Sequence, residues 1–171
     1  MHTRTPFVWK SLKHILLLLS LGLGLVSCTK VNGTGKTIGL DTDLKLTIQA
    51  DMDINPDANN RPSPVFVRMY ELKSPMIFHQ ADFMTLYSKD KAVIDADFVN
   101  RQDLKIFVPG DKRESNLVLN PATRFVALYA EFLQYQNANY KVIFPVTPGN
   151  IVGNRISVKI TGNHIVLIEK K

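Results

Sequence analysis

The sequence of 171 residues is poorest in the residue types that do covalent and metal chemistry, with one cysteine, one tryptophan and four histidines. A single cysteine, Cys28, excludes an internal disulfide. Two of the histidines precede it. That leaves His79 and His164, which are not spaced like metal ligands, and no Gly-rich phosphate loop appears, so no cofactor or metal is expected. Asp51, Asp53 and Asp57 are spaced like calcium ligands but lack the glycine and closing glutamate of an EF-hand loop, and read as a solvated loop. A membrane-spanning run is lacking as well. The apolar stretch from Ile15 to Leu25 is interrupted by Ser20, Gly22 and Gly24, and falls short of the roughly 20 residues a transmembrane helix needs.

What is present at the N-terminus is a processing signal. Arg4, Lys10 and Lys13 form a charged segment ahead of the apolar stretch, and Leu25-Val26-Ser27-Cys28 resembles a bacterial lipobox, in which the cysteine thiol becomes a thioether to diacylglycerol. Residues 1–27 are therefore expected to be a signal peptide, and Cys28 the lipidation site. A lone thiol in an oxidising compartment would be a liability, whereas an acylated one is inert. Several acyl chains on one cysteine hold a protein to a bilayer without any spanning helix. Thr29 stands where an aspartate would retain a lipoprotein at the inner membrane, so outer-membrane sorting is expected by resemblance to other lipoproteins. Residues 28–41, rich in Gly, Thr and Asn, read as a flexible tether, and 42–171 as a single periplasmic domain. The signal holds three of the 21 basic residues and none of the 15 acidic ones, leaving a mature charge of about +3. So small an excess does not argue for nucleic-acid binding.

From Leu44 the pattern alternates, with Leu44, Leu46, Ile48 and Ala50 on one side and Lys45, Thr47, Gln49 and Asp51 on the other, which predicts a half-buried strand. Val65 to Leu72 carries bulk on both faces and predicts a second strand. Ser74-Pro75 has helix-start chemistry, and the apolar positions after it suit one or two short helices, with Asp82 able to cap the second and Lys89-Asp90 closing an insertion over residues 74–88. Further short β-rich runs follow at 92–99, 103–108, 116–119, 124–132, 140–146, 155–161 and 164–169. Turn residues separate them, most clearly at Gly162-Asn163, a two-residue hairpin loop. Pro145 places its strand at an edge or ends it there. The expected fold is mainly β, with the spacing of the short strands favouring a sandwich and a closed barrel as the alternative. Tyr129, Phe132, Tyr135, Tyr140 and Phe144 fit a core or pleated surface better than a ligand patch.

Asn55-Pro56-Asp57 and the run from Arg61 to Ser74 resemble the TssJ family of outer-membrane lipoproteins of the type VI secretion system. Phe78, Ala81-Asp82-Phe83, Leu86, Val108-Pro109-Gly110 and Phe125 to Tyr129 follow in the order of similar segments in that family. The pattern departs at Tyr129-Ala130-Glu131, where the family has a charged pair, and Tyr140 is the nearest counterpart of its later tryptophan. The resemblance implies a transthyretin-like β-sandwich with a short helical insertion, lipid-anchored at the outer membrane. It also implies a partner, the periplasmic C-terminal domain of TssM, met through the loop from Met52 to Pro64. Asn55, Asp57, Asn59, Asn60 and Arg61 are the candidate contact residues, with a structural role and no small-molecule substrate. Two alternatives remain. One is a ligand-binding or chaperone lipoprotein. The other is a transthyretin-like hydrolase, which resembles a histidine-rich site with a Tyr-Arg-Gly-Ser tail, whereas this sequence reads Ile168-Glu169-Lys170-Lys171 there.

Overall fold

The computed structural model describes residues 41–149 and 152–168; the expected signal peptide, Cys28 and all but the last residue of the tether lie outside them. Among the described residues eight strands form two four-stranded sheets. The first has the order β4 (Lys112–Leu119), β1 (Thr42–Ala50), β7 (Asn154–Thr161), β8 (His164–Leu167), and the second β3 (Phe98–Asp103), β2 (Val67–Leu72), β5 (Phe125–Ala130), β6 (Lys141–Pro145). All neighbours are antiparallel except β1 and β7, which run parallel with Leu44 opposite Asn154 and Ala50 opposite Ile160. This is the expected transthyretin-like sandwich, mainly β with a helical insertion.

Its core follows from the alternation. Leu44, Leu46, Ile48 and Ala50 of β1 point inward onto Val67 and Met69 of β2 and Val126, Leu128 and Ala130 of β5. The opposite faces of β2 and β5 are buried too. Tyr70, Leu72, Ala127 and Tyr129 pack under two helices, α1 (Met76–Gln80) and α2 (Phe83–Ile94), through Phe78, Phe83, Leu86 and Ile94. Bulk on both faces of β2 thus marks a strand covered on both sides.

Where the elements end corrects the sequence reading in three places. The insertion does not close at Ser88, and residues 92–97 are not strand: α2 runs on to Ile94 and a 3-10 turn covers Asp95–Asp97. Lys89-Asp90 only kinks the helix. Lys89 leaves helical geometry at φ −139°, and the carbonyls this frees, of Leu86 and Tyr87, accept from Arg68 Nη1 at 3.2 Å each. Asp90 then restarts the helix by accepting from the Lys91 N–H at 2.8 Å. Second, residues 104–108 form a connection rather than a strand, with Phe107 in an isolated bridge to Val65 and the Leu104 N–H donating to the Val67 carbonyl. Third, β4 starts at Lys112 rather than Asn116, because its first half, Lys112 to Ser115, is polar and shows no apolar face to the eye. In register with buried Ile48 and Leu46, Arg113 and Ser115 point between the sheets, at a seam that β3 and β4 leave open. The other seam is closed by Asn139, which accepts from Ile165 N–H at 2.8 Å and donates back to its carbonyl.

Asp82 caps α2 as expected, its carboxylate accepting from Thr85 N–H at 2.9 Å, which holds that carboxyl below the usual range. Pro145 lies on the edge strand β6, and Gly162 opens the β7–β8 hairpin at φ +51°. Lys141 latches α1 to the second sheet: its ammonium donates to the carbonyls of Phe78, His79 and Ala81 at 3.0, 2.7 and 2.6 Å, and burial lowers its pKa. Glu71, also buried, accepts from Asn100 Nδ2, Asn120 N–H and Thr123 Oγ1, tying the β4–β5 turn to β2.

Candidate functional site

Strand directions sort the loops to two ends. β1 begins at Thr42 beside Leu119 of β4 and close to the start of β7, so the chain arrives at one end of the sandwich. Residues 51–66 leave β1 at the other end, where the 131–140 segment, the 104–111 connection and the Gly162-Asn163 turn also lie. A nine-residue strand separates the two ends by roughly 30 Å at about 3.3 Å per residue.

The 51–66 loop is braced along its length. Asp57 is the hub of its tip: one carboxylate oxygen accepts from the backbone of Asn59 (2.8 Å) and Arg61 (3.0 Å), the other from Arg61 Nε (2.8 Å), and the guanidinium closes a salt bridge at 2.7 Å. The Arg61 backbone, above all, holds the Asp57 carboxyl below its usual pKa. Asn60 turns the tip at φ +58°, a conformation asparagine tolerates better than most residues. Asn59, Asn60 and Arg61 are exposed as expected.

Asn55 is placed differently from the expectation of a contact residue. It is 2% exposed, sits at φ +48° and bonds in three directions: its side chain donates to Pro64 O (2.6 Å) and accepts from Leu133 N–H (2.8 Å), while its backbone N–H donates to Gly162 O (2.7 Å). A polar side chain buried this way must satisfy its own groups, and here it does so by fixing the loop base. Asn55 therefore shapes the site from within rather than presenting itself.

Sequence reasoning missed the neighbours that complete this end. Gln134 Nε2 donates to the carbonyls of Pro56 and Asp57 at 3.2 and 2.7 Å, and Asp53 accepts from Gly162 N–H. Gly110, at φ +84°, lies so close to Met52 that an added Cβ would come within 2.8 Å of its sulfur. Around the polar tip stand three exposed apolar side chains from three segments: Met52 (72%), Leu133 (59%) and Val108 (44%). The Gly162-Asn163 turn was legible as a hairpin but gave no sign that it touches the loop, and nothing in the sequence marked Gln134.

The other candidates are spent elsewhere. Asp51 pairs with Lys159 at 2.8 Å, so Asp51, Asp53 and Asp57 each serve a different partner. His79 lies exposed on α1, and His164, exposed on β8, accepts from Asn139 N–H at 3.3 Å. Tyr129, Tyr135 and Tyr140 gather on Phe83 under the insertion, with ring centroids 4.2 to 5.2 Å away, and burial raises the pKa of Tyr129. Beside them Arg68 forms ion pairs with Glu131 at 2.5 Å and, more distantly, with Asp90 at 3.7 Å, while Asp90 also accepts from Arg101 and the Tyr70 hydroxyl, each at 2.8 Å. This network pins the kinked helix to its sheet.

Taken as a class, the molecule is a transthyretin-like β-sandwich with one sheet roofed by helices and a braced loop platform at the end away from its incoming chain. The family model described as type VI secretion lipoprotein, VasD, EvfM, TssJ matches residues 42–163, and the chain belongs to that family. Solved structures agree in fold. The T6SS lipoprotein TssJ1 from Pseudomonas aeruginosa superposes with a TM-score of 0.70 at 21% identity, over 77% of this chain and 98% of that one. Serratia marcescens Lip, a membrane bound component of the Type VI Secretion System, gives 0.67 at 17% identity, over 74% and 97%. A chain of the structure described as the T6SS protein TssM C-terminal domain (869-1107) from EAEC gives 0.62 at 25% identity, over 75% and 98%. No curated protein matches. Among the described residues no helix is long and apolar enough to cross a membrane.

Proposed function

We propose that the protein is a structural lipoprotein of the type VI secretion membrane complex, held to the outer membrane by acylated Cys28 and binding the periplasmic domain of TssM through the 52–64 loop. The observation that carries this reading is the two-ended layout. The chain that would bear the lipid joins the sandwich at Thr42, while the loop projects from the opposite end. An anchor at one end and a recognition surface at the other suit a protein that bridges a membrane to a periplasmic partner. Family membership and the likeness to a chain in a TssM C-terminal domain structure support the same partner.

The bracing matters energetically, because a loop already held in shape loses little entropy on docking. Asp57 and Asn55 do the holding. Asn59, Asn60 and Arg61 offer the polar contacts, with Met52, Leu133 and Val108 as the apolar surround. Arginine is enriched among residues that dominate interfaces, so Arg61 is the first to test. Calorimetry of the protein with the TssM periplasmic domain should show Arg61→Ala weakening binding about tenfold, or 1.4 kcal/mol. Wild-type affinity for Arg61→Ala, Asn59→Ala and Leu133→Ser alike, with circular dichroism unchanged, would move the interface away from this end. For the anchor, an unmodified Cys28 thiol in the mass of protein purified from membranes would refute lipidation.

A further inference from the structure

The two sheets differ in what covers them, and the uncovered one carries charge. The helices roof the second sheet, whereas among the described residues no helix lies on the outer face of the first. Its outward residues follow from the register. Lys112, Gln49 and Lys159 form one row, Glu114, Thr47 and Ser157 the next, then Asn116, Lys45 and Arg155, and finally Val118 beside Asp43. Lys45 is matched by Glu114 and Lys159 by Asp51, which leaves Arg155 as the further cation near the β1 start, with Asp43 as the acid there, while Lys112 lies in the row at the loop end. At the end where β1 begins, Val118 and Val152 are 68% and 78% exposed, and with Lys45 and Arg155 they line one shallow concavity of about 340 Å³.

The geometry points to this outer face, at its β1-start end, as a lipid-facing surface that takes anionic phospholipid headgroups. The inference rests on the acylation proposed for Cys28. Thirteen residues lie between Cys28 and Thr42. Fully extended they reach at most about 45 Å. The end bearing Thr42 is therefore the end of the sandwich nearest along the chain to the acylated cysteine, within about 45 Å of it, and the side chains around it meet headgroups at a raised effective concentration. Exposed valines set among basic residues have the chemistry such a surface calls for, since apolar side chains settle at the headgroup boundary and each cation near an anionic leaflet is attracted to it. The partner loop at the far end is left clear of the membrane.

Acylation occupies the thiol of Cys28, so a new cysteine is the single labelling site. Mature lipidated protein carrying Val118→Cys, Val152→Cys or, on the roofed side, Met84→Cys is labelled with a fluorophore and bound to vesicles of phosphatidylethanolamine with phosphatidylglycerol. Quenching by an aqueous quencher should fall severalfold at 118 and 152 and stay unchanged at 84. Arg155→Glu, or high salt, should restore quenching at 118 while the protein still sediments with the vesicles. Equal quenching at 118 and 84 on bound, acylated protein overturns the inference and leaves the anchor standing. Protection that persists without phosphatidylglycerol overturns the headgroup assignment, and protection that grows with protein density on the vesicle marks a contact between copies instead. An unmodified Cys28 mass with no sedimentation removes the anchor, and this inference with it.

Discussion

The first sheet buries one face and the second buries both, and the strands record the difference. β1 alternates strictly, buried at Thr42, Leu44, Leu46, Ile48 and Ala50 and more open between, while β5 is buried at every position from Val126 to Ala130. A strand wet on one side needs only a two-residue period. A strand roofed by helices must supply apolar or fully bonded groups on both sides, which is why Arg68 and Glu71 of β2 are held by partners: Arg68 by Glu131 and the α2 carbonyls, Glu71 by Asn100, Asn120 and Thr123. One sheet is thus specified by pattern, the other by a second core plus a polar network.

If that second core is as integral as the first, Phe78→Ala should be the most damaging single truncation, costing about 3 to 5 kcal/mol, the range for a fully buried phenylalanine. Denaturant unfolding followed by far-UV circular dichroism and by tyrosine fluorescence should shift together; a roof that melts alone, with the sheet signal unmoved, would break the equivalence. In the first core Leu46→Ala should cost roughly 2 to 5 kcal/mol on the same assay, and an unaffected midpoint would mean that β1 is not buried there. Asp90→Asn sharpens the role of the polar network. Burial pushes the Asp90 carboxyl up, but the bonds from Arg101, Tyr70 and Lys91 N–H outweigh this and its pKa is lowered. Its contribution is therefore complete above the unfolded aspartate value near pH 4 and lost as pH falls through the lower folded value. The variant should be destabilised by about 1 to 3 kcal/mol at neutral pH and the gap to wild type should close in acid, whereas a gap independent of pH would show that charge is not what matters. Asp82→Ala removes only the α2 cap and should cost about 1 kcal/mol. Smallest of all, Lys45→Ala on the bare face breaks an exposed pair with Glu114 and should change stability by less than about 0.5 kcal/mol.

The same contrast explains how much could be read beforehand. β1, the terminal hairpin at Gly162, the edge position of Pro145 and the cap at Asp82 all depend on neighbours close in sequence, and all were legible. The far half of α2 was not. Val93, Ile94, Phe98 and Val99 look like strand, and Lys89-Asp90 looks like a stop; what carries the helix past that point is Arg68, 18 residues upstream, taking the Leu86 carbonyl. The first half of β4 was hidden for a related reason, since its polar residues are acceptable only at an open seam. At the candidate interface the loop and its exposed tip are apparent from Asn and Pro content, but Asn55 reads there as a contact residue, whereas it is buried. Its bonds to Leu133 and Gly162 span 78 and 107 positions, and no local pattern encodes them.

The polar start of β4 carries a consequence for how copies behave when crowded. Among the described residues β4 pairs with β1 alone, so one margin of an eight-residue strand offers unused N–H and C=O groups, the template on which sheets fuse into aggregates. Another strand laid along it would have to cover Arg113 and Ser115 on one side and Lys112 and Glu114 on the other. Arg113 is already committed, donating to the carbonyls of Lys105 and Ile106 and to the Asp111 carboxylate. Fusion there would have to desolvate Lys112 together with the Lys45–Glu114 and Arg113–Asp111 pairs. The stretch that defied prediction as a strand acts as a guard against polymerisation, allowing copies to stand close together without their sheets joining edge to edge.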